Sequence, residues 1–162
     1  MGCDIHGYID YEDFKDSQGK AHYSCFGNNL GDRDYAMFGL LAGVRRGSAI
    51  FGPRGIPENI SFTVKNSFYM FIVDGEEDGE GFVSKLTAQK WVAQGWSKQI
   101  EDKWITHPDW HTPSWLTVKE YEQVLLAREE ITDYGKPSQE WYAILAAMKV
   151  LNNSRFVFWF DN

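Results

Sequence analysis

Residues 3–11 read CDIHGYIDY and residues 155–162 read RFVFWFDN. In the first stretch Cys3, Ile5, Gly7 and Ile9 alternate with Asp4, His6 and Tyr8. A period of two is the mark of a half-buried strand. The second stretch is an extended apolar run. Both ends of the chain therefore read as strands and are expected to belong to one sheet. As neighbours there, they would bring Asp4 and His6 close to Asp161 and Asn162.

Working inward, DSQGK (16–20) is turn-like and AHYSCF (21–26) can return as the second arm of a hairpin. GDRDYAMFGLLAGVRRG (31–47) reads as a helix capped by Asp32, with Met37, Phe38, Leu40, Leu41 and Val44 as its apolar positions. Arg45 and Arg46 fall in its expected last turn, where the dipole favours cations, and Gly47 is a natural stop. SAIFGPRGIPENIS (48–61) is an irregular loop and FYMFIV (68–73) a buried strand. DGEEDGEGF (74–82) holds five carboxylates without EF-hand spacing, so it is expected to be a solvated turn rather than a calcium loop.

Two helix starts share the opening Leu86-Thr87 and Leu116-Thr117. The second is a full capping box, Thr117 with Glu120, with Leu116 able to staple against Tyr121, and its helix should run to about Glu130. A last helix begins near Ser138, with Trp141, Ile144, Leu145, Met148 and Leu151 as a 3.6-residue stripe. Three or four helices packed on a small antiparallel sheet containing both chain ends make the expected fold α+β. A length of 162 residues fits a single domain spanning 1–162.

The net charge of −7 argues against a duplex nucleic-acid partner, because phosphate attraction needs a basic face. It leaves room for a small anion held by local arginines. Aromatic residues make up 16% of the chain, enough to serve as core filler or as platforms for flat ligands. No apolar run reaches the roughly 20 residues that span a bilayer, and the opening lacks the regions of a signal peptide. A cytosolic location without a membrane partner is expected. Cys3 and Cys25 are then thiols, and the lack of a CxxC pair speaks against structural zinc. Met-Gly-Cys is not read as an acylation signal, because His6 stands where the pattern needs Ser or Thr.

Five ordered stretches, MGCDIH, RDYAMFGLLAGVR, PRGIP, DWHTPSWLT and WFDN, cover the chain from end to end. In these the chain resembles a family of small bacteriophage and bacterial proteins that begin MGCDIH and end FDN. The resemblance implies a whole-domain likeness and a host bacterial cytosol, and it carries no activity with it. Pro113 stands where the family pattern has a second His before Ser-Trp, so a two-histidine mechanism at that point is not implied.

Three groups of residues can carry chemistry. Asp4 and His6, two apart on a strand, point the same way. With Asp109 and His111 they would form a His/Asp set for acid–base work or a divalent metal, and hydrogen bonding within the fold explains them equally well. No HxH or HExxH pair strengthens the metal alternative, and no metal or cofactor is expected.

Arg33, Arg45, Arg46 and Arg54 are the concentrated cations. Their forked donors match phosphate or carboxylate oxygens, while helix capping and pairing with Asp or Glu are the alternative. DWHTPSWLT is expected to be a loop feeding a capped helix. The helix amides there attract anions, and Trp110 and Trp115 can stack a base or simply pack on the core. Cys3 as nucleophile is disfavoured, since alternation puts it opposite His6.

The expected function is binding of a small anionic ligand of the nucleotide class without turnover. His6, Arg33, Arg45, Arg46, Arg54, His111 and Trp115 are the expected contacts. The phage resemblance suggests sequestration of a nucleotide signal used in host defence. A hydrolase of the same ligand class using Asp4, His6, Asp109 and His111, or a module that contacts a host protein, are the rival readings. Self-association is left open.

Overall fold

The computed structural model describes residues 2–162. These form two compact units, one from residues 2–61 with His111–Asn162 and the other from Phe62–Trp110. The α+β class expected from the sequence is what the described residues adopt, with five α-helices and two four-stranded sheets.

In the first unit, β1 (Ile5–Lys15) and β2 (Ala21–Leu30) form the expected hairpin. The sheet order places β1 beside the last strand of the chain, β8 (Arg155–Phe160), and β8 beside β7 (His111–Thr117). All three pairings are antiparallel, with Ile5 opposite Phe160, Gly7 opposite Phe158 and Ile9 opposite Phe156. The two end strands are thus the central pair of their sheet. Period two then sorts the side chains. Ile5, Ile9, Leu116, Phe156, Phe158 and Phe160 share one face and are buried against three helices, α1 (Tyr35–Ala42), α4 (Val118–Glu129) and α5 (Gln139–Val150). Full burial of each such side chain is worth about 1.5–3 kcal/mol. Gly7 is required where β1 crowds β2, because a Cβ there would sit 2.1 Å from the Leu30 carbonyl oxygen and 2.5 Å from the Phe156 ring.

The helix ends differ in detail from the sequence reading. Asp34, not Asp32, caps α1 by accepting from the Met37 N–H, and α1 stops at Gly43, whose φ of 71° suits glycine. Arg45 and Arg46 therefore lie beyond the helix instead of in its last turn. The Thr117–Glu120 capping box opens α4 as expected. Ser138 precedes α5 as expected but makes no side-chain capping bond. Residues 111–117, expected to be a loop, form strand β7. Pro113 is tolerated because β7 is an edge strand with an irregularity between His111 and Ser114, so the missing N–H breaks no essential ladder bond.

In the second unit, α2 (Phe62–Phe68) leads into β3 (Tyr69–Val73), which pairs parallel with β4 (Phe82–Ser84) and antiparallel with β6 (Trp104–Thr106). The short β5 (Gln99–Glu101) pairs with β6. Ser84, rather than Thr87, caps α3 (Lys85–Ala93). Asp78 in the acidic turn accepts from the Ser84 N–H and the Thr87 hydroxyl, so this carboxylate braces the start of α3. Met70, Val83, Ala88 and Ile105 make the small core. Among the described residues no helix is long and apolar enough to cross a membrane.

Candidate functional site

Strand pairing between β1 and β8 gathers the polar residues of the two chain ends at one end of the first sheet. His6 Nε2 lies 2.9 Å from Asp161 Oδ2, and its Nδ1 lies 3.2 Å from Asn29 Oδ1. Tyr8 donates to the same Asn29 oxygen at 3.0 Å. Asp161 Oδ1 accepts the Asp4 N–H at 2.9 Å, while the Asp161 N–H donates to the Asp4 carbonyl. Burial raises the Asp161 pKa, but the Asp4 N–H and the His6 imidazole outweigh it and hold the carboxyl below its usual range. The Asp4 side chain turns to Arg33, whose Nε donates at 2.7 Å. Arg45 donates to the Gly2 carbonyl at 3.2 Å.

His111 belongs to the same end, opposite Phe160 in the register, with Nδ1 2.8 Å from the Thr112 hydroxyl. Its Nε2 is buried without a hydrogen-bond partner. Cys3 is 1% exposed, and burial raises its pKa against the opposing influence of Arg45, so it is an inert thiol. Asp4, His6, His111 and Asp161 are thus brought together. Asp109, the other expected member of that set, lies in the second unit, where its N–H donates to His107 Nδ1. Both ring nitrogens of His6 face acceptor oxygens, and Asp4 and Asp161 are both engaged. The arrangement works as a clasp on the end strands. Among the described residues, no group of three or more His, Cys, Asp or Glu side chains is disposed to hold a metal ion.

The remaining expected arginines are spread out. Arg46 sits over the Tyr134 ring at 4.7 Å. Arg54 makes a two-pronged pair with Glu120, at 2.9 and 2.6 Å, and lies over the Trp115 ring at 5.0 Å. The pairing holds the Glu120 carboxyl at about 2. Arg54 therefore braces the capping box of α4 and the Trp115 indole.

Farther along the same sheet, β7 and β8 frame a groove of about 620 Å³. Tyr23, Trp115, Thr117, Lys119, Lys149 and Arg155 are among its lining residues. Every charged side chain in that lining is a cation. Arg155 lies over the Tyr23 ring at 3.9 Å and reaches back to Asp10, which is fully buried, at 3.6 Å. Asp10 accepts from the Ser61 N–H at 2.9 Å and its hydroxyl at 2.6 Å. Burial still raises its pKa against these partners. Arg155 Nε is buried without a hydrogen-bond partner. Lys149 is paired with Glu122 at 2.6 Å, whereas Lys119 makes no ion pair or hydrogen bond among the described residues. Val118 and Lys119 open α4, and their N–H groups have no intrahelical partner. The groove thus combines a helix start, three cations and two aromatic rings, a set suited to a flat anion.

Of the residues singled out by sequence, Trp115 lines this groove and His6, Arg33, Arg45 and His111 belong to the clasp. Tyr23, Lys119, Lys149 and Arg155 escape the sequence reading. They come from β2, the start of α4, the end of α5 and the start of β8, united only by strand register and the turn after α5, and no local motif marks them. No protein-family model, curated protein or solved structure matches this chain.

Proposed function

We propose that the chain binds a small anionic ligand bearing a flat ring, of the nucleotide class, in the groove between Tyr23, Trp115 and Arg155, and releases it unchanged. One observation carries the proposal. In a chain of net charge −7, the groove is lined by three cations, two aromatic rings and no carboxylate. Phosphate oxygens suit Arg155, Lys119 and the free amides at the start of α4, while the indole or phenol offers a stacking surface. Resemblance to bacteriophage proteins extends the proposal to sequestering a nucleotide signal in the host cytosol.

Hydrolysis of the same ligand is the weaker reading, because His6 has both ring nitrogens occupied and sits with the clasp. The test is retention of a panel of cyclic and ADP-ribose-type nucleotides by the purified chain, followed by heat release and identification of what was bound. Intact nucleotide retained by the native chain, with about tenfold or greater weakening in Lys119→Glu and Arg155→Gln, is the expected result. Recovery of a cleaved nucleotide makes the chain a hydrolase. Retention unaffected by both substitutions, or no retention across the panel, removes the groove from consideration and favours contact with a host protein.

A further inference from the structure

A second cavity, of about 480 Å³, belongs wholly to the second unit and has a different chemistry. Trp91, Trp96, His107, Pro108 and Asp109 line it, with no lysine or arginine among them. Trp91 sits in the last turn of α3, and the chain then reverses through Gly95, so that the Trp96 N–H donates to the Trp91 carbonyl at 2.9 Å. That turn keeps two indoles beside one cavity. Trp96 remains 57% exposed, a large apolar area left in water. His107 stacks on Trp110 with ring centroids 4.1 Å apart and planes 11° from parallel, which sets the orientation of its ring. Its Nδ1 accepts the Asp109 N–H at 3.2 Å. The Asp109 side chain is exposed and makes no hydrogen bond or ion pair among the described residues.

Indole faces carry negative electrostatic potential and attract a cation that cannot be strongly hydrated. A quaternary ammonium group fits that description best, because its methyl groups also bury apolar surface against the rings. We infer that this cavity is a binding site for the quaternary ammonium group of a small molecule, held by Trp91 and Trp96 with Asp109 supplying the opposite charge. An apolar slot would prefer a neutral alkyl group. A plain acidic site would prefer a primary ammonium ion, which keeps its water. The pairing of two indoles with one uncommitted carboxylate separates the quaternary cation from both.

The experiment is a titration of the full chain with choline, followed by indole fluorescence and by calorimetry. Its neutral isostere, 3,3-dimethylbutan-1-ol, is the control. Saturable binding of choline is expected, with the isostere weaker by about tenfold. Trp96→Ala and Asp109→Asn should each weaken choline by about fivefold or more while leaving the circular dichroism spectrum unchanged, since both side chains are exposed. Equal binding of the isostere overturns the inference, as does the absence of saturation up to about 100 mM, a range that already includes very weak complexes. Unchanged affinity in both variants overturns it too. None of these outcomes touches the nucleotide proposal, whose residues lie in the other unit.

Discussion

Strand β8 carries opposite chemistry at its two ends. Where Phe160 leads into Asp161, the Asp161 carboxylate joins the His6 imidazole, itself beside Asn29, to the Asp4 N–H, and the Asp4 carboxylate pairs with Arg33. Where β8 begins, Arg155 is backed by buried Asp10 on one side and borders an open groove on the other. The Asp161 end is rich in residue types that suggest catalysis, yet Asp4, His6 and Asp161 are all engaged internally, while His111 Nε2 is buried without a hydrogen-bond partner among the described residues. The Arg155 end carries no such signal in its sequence, yet Lys119 there makes no ion pair or hydrogen bond among the described residues and Arg155 keeps a buried Nε without a hydrogen-bond partner. Which groups are already satisfied says more about ligand binding than which types are present.

The sharpest challenge to this contrast is Asp10→Ala. Removing the carboxylate leaves Arg155 with an uncompensated charge and Ser61 without its acceptor, and a loss of about 3–5 kcal/mol is expected in urea unfolding. A loss below about 1 kcal/mol, the range of an exposed pair, would mean that Arg155 is not held by this anchor. Next in size, the groove and the clasp should separate in binding. Arg155→Gln is expected to weaken nucleotide about tenfold to a hundredfold, with His6→Ala within about twofold of the native chain. Equal effects at both ends would merge the two regions into one site.

Glu120→Gln is expected to cost about 1–2 kcal/mol at pH 7 through lost pairing with Arg54 and a weaker cap. The folded pKa of Glu120 is depressed, so its stabilisation is present above the ordinary carboxyl range and is lost as pH falls through about 2. The native and variant unfolding curves should therefore converge at the acid end. The smallest change belongs to His6→Ala, about 0.5–1.5 kcal/mol. It should appear as faster hydrogen exchange at the Asp4 and Asp161 amides. The Asp161 contribution has the same sign as that of Glu120, fading as pH falls through its depressed folded pKa.

The terminal strands and the Thr117–Glu120 cap are legible because each is declared by a local pattern, alternation in one case and a four-residue box in the other. Helix α1 ends at Gly43, four residues before the expected stop at Gly47, because two glycines offer the same signal. Strand β7 is hidden by Pro113, which reads as a loop until β8 supplies a partner on only one side. Strands β4, β5 and β6 have three residues each, too few for periodicity to register. The arginine-rich stretch around Arg45, Arg46 and Arg54 suggests one positive pocket. In the fold these side chains turn to the Gly2 carbonyl, the Tyr134 ring and Glu120. Arg155 cannot be singled out from sequence, since its role depends on Asp10, 145 positions away.

The pairing of β1 with β8 also orders events in time. Contacts such as His6 with Asp161 join positions 155 apart, so the first sheet cannot close until residues 155–161 have been synthesised. Residues 62–110 are contiguous and can collapse before residues 111–162 have been made. During that interval the first strand waits with an open edge, exposed to chaperones and to mispairing with nascent neighbours.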